Sequence, residues 1–446
     1  MTYTIWAGYT NGAGNAFTMA AGDGLQTLAG SVLASSAGNG VNAAGSVSIE
    51  VGGTVGGYSN GIFDATAATD SSTVYIEKTG NVFSGPGWQS VYITGSGYHT
   101  IVNAGSVQSL GSGGWGIATL GAGTIVNQAS GTISAGSGVR DMDGTPTDVT
   151  SFVNYGTVTG ALYAYAGTGA DQETIDNAGT MLGRVLMGTN TSNFLYNVGT
   201  MDATGANGTG FSMADSVLNN AGTMYESLAT SSPINMITFG DHAGDYFVNS
   251  GVVAEMHAAA LSNAIAFGNG AGDVLNNNAG GAIYGNIAMG TGAGDDVINS
   301  GLIVGNVTLG SGAGDLYYGT QGKLSGTVIC GSGGDLVYTG SDSEYVTGGL
   351  GNDYFVAGTG GSLILREGVA NQAANGWDTV VNFQAYNAAS GTGTFLHLDP
   401  AMASTTTFTA FQGGTLVQMS LGGGNSAYVN VTGASVAEVK AQTYFS

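Results

Sequence analysis

The feature that most constrains this chain is a short internal repeat. A Gly, a variable residue and an aliphatic residue recur after an apolar stretch that commonly ends in Asn. The unit reads GTV at 53–55, GNV at 80–82, GSV at 105–107, GTI at 131–133 and GTV at 156–158. It continues as GTM at 179–181, 199–201 and 222–224, then GVV at 251–253, GAI at 281–283, GLI at 301–303 and GKL at 322–324, a mean step of about 24 residues. In segments such as IVNAGSV (101–107), FVNYGTV (152–158) and VINSGLI (297–303), apolar residues alternate around the Asn and Gly. Period-two alternation with β-branched residues means short strands. Two or three strands per step of this length match one coil of a parallel β-helix or β-roll. The expected fold is therefore all-β: a parallel solenoid of about twelve coils over 46–360, an N-terminal β segment at 1–45 that caps or polymerises, and a β-rich C-terminal cap at 361–446.

Composition supports this reading. The 446 residues include 82 Gly, which suits a chain that turns a corner every few residues through positive-φ conformations. Stacked coils place like residues above one another, so charge is disfavoured. The Asn at 103, 127, 154, 177, 197, 220, 249 and 299 fit either a stacked amide ladder or ordinary left-handed turn residues. Six basic residues against 29 acidic ones, a formal charge of −23, exclude the phosphate contacts of nucleic-acid binding and disfavour anionic membranes. No apolar run approaches the roughly 20 residues of a membrane helix, so membrane insertion is not expected. Cys330 is the one cysteine and reads as a small buried residue. The N-terminal residues have no basic stretch followed by an apolar one, so a cleaved secretory signal is not expected.

A second pattern occupies residues 240–356. GDHAGD ends at Asp245, GNGAGD at Asp273, GTGAGD at Asp295, GSGAGD at Asp315 and GSGGD at Asp335, before GGLGNDYFV at 348–356. The steps between successive Asp residues, including Asp353, are 28, 22, 20, 20 and 18. One loop per coil would make the carboxylates a column. Two unit charges about 5 Å apart repel by roughly 3 kcal/mol at an effective dielectric near 20, so protons or cations must intervene. Residues 241–353 hold eleven acids and one base, Lys323, and no internal base can neutralise them. Gly carbonyls and Asp oxygens suit calcium, a hard cation taking six to eight oxygen ligands. Candidate ligands are Asp245; Gly268, Gly270 and Asp273; Gly290, Gly292 and Asp295; Gly310, Gly312 and Asp315; Gly331, Gly333 and Asp335; and Gly349, Gly351 and Asp353.

GGLGNDYFV resembles the repeats-in-toxin (RTX) nonapeptide, in which six residues form a calcium half-site and three a short strand. The resemblance is specific over 331–356 and partial over 268–330, where GxGAGD replaces GGxGxD. WDTVVNF (377–383), FLHLDP (395–400), LVQMSLGGGNSAYVNVTG (416–433) and the terminal VAEVKAQTYFS look like the C-terminal module of proteins exported by type I secretion. The resemblance implies an uncleaved C-terminal signal and folding after export, where calcium is plentiful.

Parallel β-helices also carry polysaccharide-cleaving enzymes. The six bases, Lys78, Arg140, Arg184, Lys323, Arg366 and Lys440, share no local motif, and the four His show no metal-ligand spacing. Asp141, Asp143 and Asp148 in VRDMDGTPTD (139–148) read as an exposed loop. The expectation is a non-enzymatic, calcium-binding structural protein of the bacterial cell surface or extracellular space. It would assemble with itself head to tail into a filament, matrix fibre or surface layer, and surface polysaccharide is a further candidate partner. The alternative is a carbohydrate-active β-helix or a monomeric adhesin.

Overall fold

The structure is a computed structural model that describes residues 2–446 except 66–69, 143–148, 168–171, 189–191, 204–208, 215, 227–234, 256–262, 368–375 and 423–424. Among these residues the chain is an all-β parallel solenoid of about 14 turns with almost no helix, close to the twelve coils the repeat predicts. A typical coil has one strand in a first sheet, here called A, and two in a second, B. His99–Asn103 lies in A, and Ser106–Ser109 and Trp115–Thr119 follow in B. The chain divides into two compact units, Met1–Ile237 with Met256–Ala259, and Thr238–Glu255 with Ala260–Ser446. No helix among the described residues is long and apolar enough to cross a membrane.

The repeat's aliphatic residue is its inward side chain. Val55, Val82, Val107, Ile133, Val158, Met181, Met201 and Met224 are all buried in the first unit. In sheet A of that unit Leu25, Ile49, Val74, Ile101, Ile125, Phe152, Ile175, Leu195 and Leu218 are in register on successive strands. Each such row becomes a continuous apolar column between the sheets. Coil structure begins at Tyr3–Trp6, which pairs in parallel with Gly24–Thr27. Residues 1–45 thus supply coils of the same sheets with Leu25, Leu33 and Val41 buried, and their Gly30-Ser31-Val32 stands one residue out of step with the repeat, since Leu33 and not Val32 pairs with Val55. In the second unit the parallel strand Trp377–Val381 pairs with Asn425–Val431, the last strand of an antiparallel meander. A six-residue helix, Val436–Ala441, follows, opened by a Ser435–Glu438 capping box.

The repeat's Gly has a different cause from the expected one. Gly156, Gly179, Gly199 and Gly222 do not have positive φ. A Cβ on each would instead overlap the carbonyl oxygen of Gly131, Gly156, Gly179 and Gly199, respectively, on the preceding coil. Close approach between coils excludes a side chain there.

Of the two readings of the recurrent Asn, the ladder is the one observed. Asn103 Nδ2 donates to Asn127 Oδ1 at 2.9 Å, and the chain of bonds continues through Asn154, Asn177 and Asn197 to Asn220 at 2.8 Å per step. In the second unit Asn249 donates to Asn277 and Asn277 to Asn299. The other amide hydrogen reaches a backbone carbonyl of the next coil, as from Asn177 to Thr200 O. The described non-Gly residues with positive φ are Asn382 and Gln412, neither of them a rung.

Replacing Asn177 with Ala leaves a donor on Asn154 and an acceptor on Asn197 buried and unpaired, each costing about 1–3 kcal/mol. Chemical denaturation of Asn177→Ala is expected to show a loss of about 3 kcal/mol, whereas Tyr155→Ala on the exposed surface changes stability by about 0.5 kcal/mol or less.

Candidate metal centre

The Gly-Asp loops lie on successive coils of the second unit, and their residues sort into three columns. In the first, a Cβ on Gly268, Gly290, Gly310, Gly331 or Gly349 would overlap the carbonyl oxygen of Gly240, Gly268, Gly290, Gly310 or Gly331, respectively. The second runs in the same way from the His242 carbonyl through Gly270, Gly292, Gly312, Gly333 and Gly351 to Gly376. The structure thus aligns every Gly expected from the sequence, each carbonyl directed at the Gly of the next coil. Among the described residues, the carbonyls of Gly290, Gly292, Gly310 and Gly312 accept no backbone hydrogen bond.

Asp245, Asp273, Asp295, Asp315, Asp335 and Asp353 make the third column, each at most 2% exposed. The backbone N–H of Asp245 donates to Asp273 Oδ1 at 3.0 Å, Asp273 to Asp295 at 3.0 Å, and Asp295 to Asp315 at 3.1 Å. Asp335 donates to Asp353 Oδ1 at 2.8 Å, and Asp353 to Asp378 Oδ1 at 2.9 Å. One carboxyl oxygen of Asp273, Asp295, Asp315 and Asp353 is therefore held by the preceding coil, and Asp335 Oδ2 accepts from Gly331 N–H in its own loop at 3.1 Å. The other oxygen of Asp295, Asp315, Asp335 and Asp353 is buried and has no hydrogen-bond partner among the described residues. An ionised carboxylate so placed carries a desolvation penalty of several kcal/mol. It needs a proton or a cation.

Burial is the leading cause of the raised carboxyl pKa values. It pushes Asp295 and Asp335 up to about 6 and Asp353 to about 8. Backbone N–H donors oppose these shifts, and neighbouring carboxylates add to them: Asp273 and Asp315 on Asp295, Asp378 and Asp335 on Asp353. Repulsion along the column is thus secondary to desolvation.

Sequence reasoning missed the column's continuation. Asp378 is the next member, buried, raised by burial and hydrogen-bonded to the side chain of buried Glu367. A signal was present: Gly376-Trp377-Asp378 repeats the Gly-x-Asp spacing of Gly351-Asn352-Asp353 before an apolar strand. Glu344 was also missed. It is buried, raised by burial to about 7, and accepts from Tyr317 Oη at 3.2 Å and Gly340 N–H at 3.0 Å. Cys330 is buried as expected, and burial together with Asp353 and Asp335 pushes its thiol well up.

No group of three or more His, Cys, Asp or Glu side chains among the described residues is placed to hold a metal by itself. A cation here would draw the balance of its ligands from backbone oxygens, which the two Gly columns supply. The donor set is all oxygen and suits a hard cation.

The other residues weighed from the sequence lie apart from the columns. Arg140 stands 5.4 Å from the Trp115 ring centre, Arg184 is 5.3 Å from Tyr163, Arg366 is 5.9 Å from Tyr345 and Lys440 is 5.6 Å from Phe408. Lys323 pairs with Asp342 at 3.5 Å. His99 is buried, its Nδ1 accepting from Ser72 N–H at 3.2 Å and its Nε2 lying 2.8 Å from Gly95 O. Asp141 is not on an exposed loop: it ends the strand Thr132–Asp141 and is fully buried, because strand alternation turns it inward. Asp143, Asp148 and His257 lie outside the described residues.

No protein-family model matches the chain, and no curated protein does.

The titration has a definite sign. These carboxyls hold protons more tightly in the fold than in the unfolded chain, where Asp titrates near 3.8. Their contribution is complete below that value and is lost as pH rises through about 6 to about 8. The melting temperature of metal-free protein, followed by circular dichroism, is expected to fall between pH 5 and about 8.5. A flat or rising profile contradicts this account.

Proposed function

We propose that this chain is a calcium-stabilised structural β-solenoid of the RTX type. In this reading it is exported by a type I route, works outside the cell or on a bacterial cell surface, and assembles with further copies into a filament, matrix fibre or surface layer. The observation that carries the calcium part is the buried carboxyls of Asp295, Asp315, Asp335 and Asp353, each with an oxygen that has no partner among the described residues, beside two columns of Gly carbonyls. Asp295, Asp315, Asp335 and Asp353 with the carbonyls of Gly290, Gly292, Gly310, Gly312, Gly333 and Gly351 would hold the ions. Bound calcium would replace the protons that the column otherwise needs near neutral pH. A ligand that binds only the folded state adds its binding free energy to stability, so the second unit would be weakly stable where calcium is scarce and firm where it is abundant.

The scattered bases support a structural role over polysaccharide cleavage. Each of the five described above contacts its own neighbouring ring or carboxylate, whereas neutralising an anionic sugar requires cations converging on one site.

Changing Asp315, Asp335 and Asp353 together to Asn preserves the acceptor oxygens and removes the charge. The triple variant is expected to lose most of the calcium-dependent rise in melting temperature at pH 8 and to be at least as stable as the parent in chelator. An unchanged calcium shift refutes the column. For assembly, negative-stain electron microscopy of the purified chain in millimolar calcium and in chelator is expected to show ordered assemblies with calcium alone. Monodisperse particles under both conditions refute self-assembly.

A further inference from the structure

We infer that the outward face of sheet A in the second unit is the contact through which copies of this chain pack side by side. The inference rests on the assembly part of the proposed function and assigns it a surface. On the strands Asp296–Asn299, Leu316–Tyr318, Leu336–Tyr338 and Tyr354–Val356 the outward positions form two rows. One reads Leu316, Leu336, Tyr354 and the other Ile298, Tyr318, Tyr338, each in register from coil to coil. Tyr318 and Tyr354 are each 40% exposed and Leu336 37%. Solvent-facing rows of a sheet are ordinarily polar. Here two adjacent rows are apolar and exposed among the described residues, and the charged Asp296 lies at the edge of the first row.

Charge and area select the occupant. Two copies of a chain with net charge −23 repel over most approaches, and an uncharged face removes that repulsion locally. An anionic lipid surface is disfavoured by the same charge. The six side chains span about 19 Å by 12 Å, on the order of 200 Å², well below the roughly 800 Å² per partner of a stable isolated complex. Such a contact is weak alone and effective when repeated in an array. The Tyr318 and Tyr338 rings are tilted 50° with centroids 5.5 Å apart, so they pack against each other and do not form the level platform on which a sugar ring stacks. A second copy, sheet face against sheet face at about 10 Å, fits these observations best.

The test uses the full chain in millimolar calcium chloride, with assembly followed by sedimentation and electron microscopy. Leu336→Glu places carboxylates opposite each other and is expected to raise the concentration needed for assembly at least about tenfold, equivalent to about 1.4 kcal/mol. An equimolar mixture with Leu336→Lys is expected to restore it. Tyr318→Thr with Tyr338→Thr, which adds no charge, is expected to weaken assembly as well, with circular dichroism confirming the fold. If the parent assembles and every variant assembles at the same concentration, the contact lies elsewhere and the assembly reading stands. If the parent never assembles, both fail. If hydroxyethylcellulose retards the parent and not the variants in affinity electrophoresis while assembly is unchanged, the face is a polysaccharide platform and the inference is overturned.

Discussion

Every other feature of this molecule depends on the close approach of one coil to the next, about 4.8 Å in a β-sheet. At that separation a residue's main neighbours are its counterparts on the coils before and after it. Selection therefore acts on columns as much as on positions. Where backbone meets backbone at a corner, no Cβ fits, and Gly follows Gly from 131 to 222. Where the side chain points into the core, an apolar column forms, and a polar residue is tolerated where it finds a hydrogen-bond partner, most regularly its own kind on the next coil.

Asn and Asp illustrate that condition in opposite ways. An amide carries both donors and acceptors, so a stack of Asn satisfies itself, each rung giving one hydrogen to the next side chain and one to the next backbone. A carboxylate only accepts, so a stack of Asp borrows backbone N–H groups for one oxygen and leaves the other short. The first column is complete with protein atoms alone. The second needs something added, and whether that is a proton or a cation decides how the second unit responds to its surroundings.

Much of this was legible in the sequence, because columns leave a period in the chain. The G-x-aliphatic repeat identified the strands, and the Gly-Asp loops identified the carboxylate column. What escaped detection did so for physical reasons. The coils within residues 1–45 use inward Leu and Val at the right spacing, but their Gly30-Ser31-Val32 sits one residue out of register with Gly53-Thr54-Val55 and so does not mark the inward position. The role of the repeat Gly was misread, since a close backbone approach and a positive φ select the same residue. Asp378 was hidden because it stands 25 residues after Asp353, out of line with the steps of 22, 20, 20 and 18 before it, and because Ala374 replaces the first-column Gly of the earlier loops. From Asp273 to Asp315 the second-column Gly stands three residues before its Asp, and from Asp335 onward two. The extra residue is a Gly with φ of +73° to +81° at 272, 294 and 314. It loops outward and leaves both columns in register.

The amide ladder also has a direction. The rungs from Asn103 to Asn197, and Asn249 to Asn299 in the second unit, donate towards the C-terminal side. Its first member, Asn103, has its acceptor held by Gly105 N–H at 3.1 Å, and in the second unit Asn299 passes its hydrogens to Lys323 O and to Tyr317, whose hydroxyl points on to Glu344. A coil joining on the C-terminal side must bring an oxygen, and one joining on the N-terminal side must bring a hydrogen. The stack is thus a vectorial template, on which a coil laid down in the wrong order meets its own polarity.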